Sequence, residues 1–260
     1  MHPLVSIVTP SYNQARFLER TIDSVLSQDY PNFEYIIVDG ASADNSLEII
    51  KKYANQLAWW VSEPDQGQTD AINKGLSHAN GEILAWLNSD DTYQPGAISQ
   101  AVDAILSHPD AALVYGDANL IDEQGQMIGR FPSRQTNLQK ILRGSVHIPQ
   151  QAAFFLSRFW KQVGPLDPSF QFAMDYDLWV RLAKQAPLVY VPSLWANFRL
   201  HGQGKSVMMD ERCYPEMIRV YQRECGNKVS ILTFRWHLRR ILYAWIPIRL
   251  RIKLRNRLTR

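Results

Sequence analysis

The stretch Ile83-Leu84-Ala85-Trp86-Leu87 is apolar at every position and runs directly into Asn88-Ser89-Asp90-Asp91. Side chains of a strand alternate between faces, so an unbroken apolar run fits a strand covered on both sides. That restricts the chain to a layered α/β arrangement, with helices on both faces of a sheet. Two adjacent carboxylates at the end of such a strand repel each other and resist desolvation. A divalent cation relieves both costs, since Mg2+ takes one or two carboxylates together with a substrate phosphate. Open α/β sheets also bind their ligands at the C-terminal ends of the strands. Taken alone, the pair reads more readily as a turn with an Asx cap leading into the helix after Pro95 than as a metal site.

The same rhythm runs through the first half. Residues 4–9 form a short β-branched run, and residues 14–28 place Phe17, Leu18, Ile22, Val25 and Leu26 on one helical face, with Asn13 as N-cap. Strands at 33–38 and 58–61 alternate with helices at about 44–56 and 69–78; a further helix after Pro95 and a strand at 112–115 follow. Repeated β-α units with short connections predict a mostly parallel central sheet flanked by helices. After Gly116 the pattern changes. Residues 119–131 read as a hairpin around Glu123-Gln124-Gly125, residues 145–205 mix short strands with one helix at 176–185, and the chain is helical from Asp210 onward. The expected organisation is a catalytic unit over 1–206, in halves 1–116 and 117–206, with a basic helical C-terminal appendage over 207–260.

Composition supports a globular protein: 46% of the 260 residues are hydrophobic and 20% charged, which excludes disorder. Cys213 and Cys225 are the only cysteines and lack metal-ligand spacing, so free thiols in a reducing compartment are expected. The N-terminus has no charged n-region or apolar h-region, and no apolar run approaches the ~20 residues that cross a bilayer. A cytoplasmic location is the expectation.

The net charge of +3 hides an asymmetry. From Gly226 to Arg260 there are ten Lys and Arg and no acid, whereas residues 1–225 set eighteen basic residues against twenty-five acidic ones. Trp236 and Tyr243 beside Arg239 give residues 229–246 the composition of an interfacial helix. Each cation near an anionic surface is worth ~1 kcal/mol. The tail is therefore expected to hold the protein peripherally on the inner face of the cell membrane, the alternatives being a helix packed on the acidic catalytic domain or a disordered tail. No recognition module accompanies the charge, so nucleic acid is not an expected partner.

Two strand tips carry further chemistry, Thr9-Pro10-Ser11-Tyr12-Asn13 and Val38-Asp39-Gly40-Ala41-Ser42. In a parallel sheet they share one edge with Asp90 and Asp91. Asp39 there can accept a nucleobase N–H, and the Pro-Ser-Tyr turn offers backbone groups and an aromatic face. A third tip, Glu63-Pro64-Asp65-Gln66-Gly67, adds another carboxylate, with Lys74 on the next helix.

These tips, together with Asp65-Gln66-Gly67, Leu87-Asn88-Ser89-Asp90-Asp91 and Met174-Asp175-Tyr176-Asp177-Leu178-Trp179, resemble in order and spacing the inverting family 2 glycosyltransferases of GT-A fold, over roughly residues 4–206. The resemblance implies a sugar transferred from a nucleotide-sugar donor, commonly UDP-linked, to a glycan or lipid-linked saccharide acceptor in surface polysaccharide synthesis. It implies that Pro10, Tyr12 and Asp39 hold the nucleobase and that Asp65 lines the same pocket. Asp90 would meet the ribose or donor sugar, and Asp91 would coordinate Mg2+ or Mn2+ on the diphosphate. Asn88 departs from the family, which often has aspartate there; one anionic ligand fewer predicts looser metal binding.

Inverting transfer is an in-line displacement, so the acceptor hydroxyl loses its proton as it attacks, and a carboxylate base contributes ~10²–10⁴-fold. Asp175 matches the aspartate of the family's Glu-Asp motif, with Met174 in the glutamate position. Asp177 is the runner-up, expected as a helix cap or supporting residue. Arg199-Leu200-His201, then Lys205-Ser206, resembles the family segment that folds over the diphosphate, making His201 a metal or phosphate ligand and Lys205 a clamp on the leaving group. Trp59, Trp60 and Trp86 read as core, and Trp179 as a packing anchor more than an acceptor platform. Two rivals remain at this level. A sugar-nucleotide nucleotidyltransferase needs a glycine-rich basic loop where Pro10-Ser11-Tyr12-Asn13 stands. A non-catalytic nucleotide-binding membrane scaffold is compatible with Asn88 and Met174.

Overall fold

The computed structural model describes residues 2–202, 209–226, 232–234 and 237–238. Its elements run β1 (Val5–Ser11), α1 (Ala15–Leu26), β2 (Phe33–Asp39), α2 (Ser46–Tyr53), β3 (Trp59–Ser62), α3 (Gln68–Ser77), β4 (Ile83–Trp86), β5 (Thr92–Tyr93) and α4 (Ala97–Ser107). Then follow β6 (Leu113–Ile121), β7 (Met127–Arg130), α5 (Leu138–Leu142), β8 (Ala153–Leu156), α6 (Ser157–Val163), α7 (Met174–Gln185), β9 (Leu188–Arg199) and α8 (Met209–Cys225).

The sheet order is β3-β2-β1-β4-β8-β6-β9-β5, with β7 paired to β6. The first four strands in this order are mutually parallel. Strand β8 enters antiparallel to both β4 and β6, while β6 and β9 run parallel, so the sheet as a whole is mixed. Chain order reverses direction between β1 and β4, since β2 and β3 lie on one side of β1 and β4 on the other. That reversal opens a crevice at the strand tips, where open α/β sheets hold ligands.

The apolar strands are buried on both faces. Val8, Ile36, Val38, Leu84 and Trp86 pack into one core with α3 and α7. Their alternates Ile7, Tyr35, Ile37, Ala85 and Leu87 pack into a second core with α1 and α4. Period-two alternation therefore sorts every central strand between two apolar layers.

Two features differ from the sequence expectation. Asn13 does not cap α1: it adopts a left-handed φ of 53°, and its Oδ1 accepts the Ala43 N–H. The first amides of the helix are capped instead from the β2–α2 loop, Gln14 N by Ser46 Oγ at 3.1 Å and Ala15 N by Asp44 Oδ2 at 2.9 Å. Strand β9 is twelve residues long, where short strands were expected. Pro192 interrupts its pattern, and the β6–β9 register shifts between Tyr115 and Asp117 to pass it.

Helix α8 is tied to α7. Glu216 accepts the N–H groups of Gln171, Phe172 and Ala173 just before α7, and Cys213, Met217 and Val220 join the first core. No helix among the described residues is long and apolar enough to cross a membrane.

Candidate active site

Four strand tips meet around one cavity of about 740 Å³. Pro10, Ser11 and Tyr12 line it after β1, Gly40 and Ala41 after β2, Pro64, Asp65 and Gly67 after β3, and Asn88, Ser89 and Asp90 after β4. Gln14, Gln68, Ala71 and Phe198 complete the wall. The β1 and β2 tips are laced together, Asn13 N donating to Ser42 Oγ at 2.8 Å.

Each expected residue takes a definite place. Pro10, Tyr12, Asp65 and Asp90 face the cavity, Tyr12 standing 62% exposed at its mouth. Asp65 Oδ1 accepts the Gly67 N–H at 2.8 Å, and its other oxygen lies so close over Gly40 that a Cβ there would sit 2.6 Å away. Asp39 is fully buried and does not line the cavity. Its carboxylate accepts Ser42 N at 2.9 Å, Ser42 Oγ at 2.5 Å and Ser62 Oγ at 2.7 Å. Those bonds hold the turn that carries Ala41 in a left-handed conformation, φ 59°, at the cavity wall. Lys74 does not line the cavity and pairs with Glu63 at 2.8 Å.

The two adjacent aspartates diverge. Asp90 faces the cavity, and its Oδ2 lies 2.8 Å from His201 Nε2. The His201 ring is buried against Phe17, centroids 4.8 Å apart. Asp91 points the other way: fully buried, its Oδ1 accepts the Arg199 N–H at 2.8 Å, and Asn88 Nδ2 stands 3.4 Å from its Oδ2. Burial, and then the Asp90 charge, push the Asp91 carboxyl well above the usual carboxylate range. Arg199 clamps the turn by donating from Nε to the Asp90 carbonyl at 2.8 Å while its guanidinium lies 4.9 Å over the Phe17 ring.

Among the described residues no three His, Cys, Asp or Glu side chains form a preformed metal cage. The Asp90–His201 pair is instead a two-donor set, with Asp90 on the cavity wall and His201 buried behind it. A hard oxygen with an adjacent imidazole fits Mg2+ or Mn2+ whose remaining positions are filled by water and phosphate oxygens.

In the second half, Asp175 lies in the first turn of α7, partly buried, and burial raises its carboxyl to about 6. One helical turn on, Trp179 is buried and stacks on Trp86 with centroids 5.7 Å apart, as a packing anchor should. Trp59 and Trp60 are only half-buried, Trp59 stacking on His78 at 3.7 Å. Asp177 is fully buried in ion pairs with Arg181 at 2.8 Å and Arg223 at 2.6 Å, which leaves it no free oxygen toward a substrate. Lys205 and nearly all of the basic tail lie outside the described residues. Sequence reasoning did not single out Gln68, Gln150 or Phe17 as site residues. Gln68 Nε2 donates to Asn88 Oδ1 at 2.7 Å, and Asn88 Nδ2 donates to Gln150 Oε1 at 3.1 Å; isolated glutamines carry no signal of such contacts.

A switch-point cavity at the tips of a mixed sheet covered by helices on both faces is an arrangement of the GT-A type. The chain belongs to glycosyl transferase family 2, whose profile matches residues 6–162. An uncharacterised glycosyltransferase of Mycobacterium tuberculosis is 32% identical over 205 residues, covering 78% of this chain and 77% of the relative. One from Rickettsia conorii is 30% identical, covering 78% of this chain but 35% of its own length, so the chain spans about a third of that relative. Chondroitin synthase of Escherichia coli is 28% identical over 79% of this chain and 30% of its own. In fold the chain is similar to Staphylococcus aureus TarS 1–349 in complex with UDP-GlcNAc, with a TM-score of 0.67 at 17% identity over 89% of this chain and 71% of that one. It is also similar to a Pyrobaculum calidifontis mannosyltransferase in complex with GDP-Man and Mn2+, with a TM-score of 0.68 at 20% identity over 92% and 70%.

Proposed function

We propose that this glycosyltransferase is inverting and metal-dependent, moving a sugar from a nucleoside diphosphate donor, UDP-linked, to a hydroxyl of a glycan or lipid-linked acceptor in surface polysaccharide synthesis. The observation that carries the reading is the Asp90–His201 pair, 2.8 Å apart, with Asp90 on the wall of the strand-tip cavity and His201 buried behind it. Asp90 and His201 would hold Mg2+ or Mn2+, which when bound neutralises the charge that develops on the departing diphosphate. This assigns Asp90 the coordinating role that the resemblance implied for Asp91, because Asp91 is buried and engaged by the Arg199 backbone.

Pro10 and Tyr12 would flank the nucleobase, and Asp65 would close the same wall. Asp39 would act from beneath, fixing the Ser42 turn instead of touching the base itself. Asp175 is the base. Its carboxylate takes the acceptor proton as the acceptor oxygen bonds to the anomeric carbon, and the bond from that carbon to the diphosphate oxygen breaks with its electron pair. A carboxyl raised to about 6 suits that work near neutral pH. The basic tail would keep the enzyme at an anionic inner-membrane surface, near lipid-linked acceptors.

A thermal-shift panel of UDP-, GDP- and dTDP-sugars with and without Mn2+ tests the reading. It expects stabilisation by UDP-sugars that grows with Mn2+; no stabilisation by any nucleotide sugar contradicts it.

A further inference from the structure

Three amide side chains from distant segments form a directed chain along the cavity wall. Gln68, the first residue of α3, donates through Nε2 to Asn88 Oδ1 at 2.7 Å. Asn88 donates through Nδ2 to Gln150 Oε1 at 3.1 Å, and Gln150 donates through Nε2 to the Trp86 carbonyl at 2.7 Å. Trp86 is the last residue of β4, so the chain ends on the strand that carries the aspartates. Asn88 and Gln150 each have the oxygen toward the preceding donor and the nitrogen toward the next acceptor. Flipping any one of them would set oxygen against oxygen or nitrogen against nitrogen.

That direction fixes Asn88 with its nitrogen on the side of Asp91, 3.4 Å from Oδ2. A carboxylate at position 88 has no proton to give Gln150 and would add a third negative charge beside Asp90 and buried Asp91. Asn88 and Gln150 are thus a matched pair. The asparagine follows from the surrounding amides and is no sign of a decayed metal motif.

We propose that Gln68 and Gln150 are positioning residues that act through Asn88 to set the Asp90 turn, and so determine the affinity of the site for its divalent cation. The proposal rests on the reading that Asp90 and His201 hold that cation. Partners behind a metal ligand commonly govern affinity by orienting it, and here they orient the loop that bears it. Asn88, Gln68 and Asp90 all face the same cavity, so the effect is local to the diphosphate end.

The test is calorimetric titration of UDP into the full chain across a Mn2+ series, for wild type, Gln68→Met and Gln150→Met, with thermal melting of each. Methionine keeps the length of glutamine and removes the amide hydrogen bonds, one at Gln68 and two at Gln150. The expected result is a Mn2+ midpoint raised about tenfold or more in both variants. A merely structural role would lower the melting temperature and leave the midpoint in place. Should Gln150→Met fail to fold, Gln68→Met decides, since Gln68 is partly exposed at the start of its helix. Unmoved midpoints in variants of a wild type that does respond to Mn2+ overturn the proposal alone. A wild type whose UDP affinity ignores Mn2+ overturns the cation reading and the proposal with it.

Discussion

His201 Nε2 lies 2.8 Å from Asp90 Oδ2, joining residues 111 positions apart beside the cavity that Asp90 lines. Neither group is placed by its own segment. Arg199 holds the Asp90 carbonyl from the end of β9, and Phe17 on α1 backs the imidazole. The pair is therefore built by three elements that meet only in the folded chain.

Asp175→Asn removes the proposed base while keeping its shape. Transfer is expected to fall by about a hundredfold or more with donor affinity retained, measured as kcat against KM. In the wild type, the carboxyl raised to about 6 must be ionised to work, so kcat should fall as pH drops through 6 and level off above it.

The same carboxyl bears on stability. Its folded pKa lies above the unfolded value, so the cost of ionising it in the folded state builds up as pH rises from 3.8 and is fully present above about 6. Asp175→Asn should raise the unfolding free energy at pH 8 by about 1–3 kcal/mol and change it little at pH 4. Urea denaturation at the two pH values checks this.

Asp177 is expected to matter for the fold alone. Its removal strands Arg181 and loosens Arg223, which ties α8 to α7. Asp177→Asn should cost about 3 kcal/mol, with kcat changed far less than by Asp175→Asn. A larger kinetic loss than for Asp175→Asn would move the base to Asp177.

Gly40→Ala tests the wall shared by Asp65. The added Cβ meets Asp65 Oδ2 at 2.6 Å and Cγ at 3.0 Å, so that side chain must swing into the cavity. Nucleotide affinity should drop about tenfold, ~1.4 kcal/mol, with the melting temperature nearly unchanged because a carboxylate end yields easily.

For the membrane, deletion is best begun at residue 239. Leu232 is buried and packs where a Cβ on Gly144 would fall 2.3 Å away, so an earlier cut would open the core. Removing residues 239–260 takes away eight Lys and Arg and should release the protein from anionic vesicles in a flotation assay; unchanged flotation would give the tail a structural role.

The first half of the fold was legible because apolar strand runs and helical faces are local patterns, and Val8, Ile37 and Trp86 sort between the two cores as alternation requires. Strand β9 was not, because Pro192 breaks its pattern and is accommodated only by the register shift opposite Gly116. In the site, the tips were legible as segments but their atoms were not. Asp39 satisfies itself on Ser42, three residues on, and on Ser62, a contact that exists only once β2 and β3 align. Whether Asp90 or Asp91 faces the cavity depends on the turn after β4, which Arg199 sets from the far end of the sheet. The Asp177–Arg223 pair likewise joins two helices that no spacing rule connects.

The most direct measurement is UDP affinity with and without Mn2+ in the wild type, Asp90→Ala and His201→Ala, by calorimetry. Mn2+ should tighten UDP binding in the wild type by about tenfold or more and have little effect in either variant. Equal Mn2+ enhancement in all three proteins would contradict a cation held by Asp90 and His201.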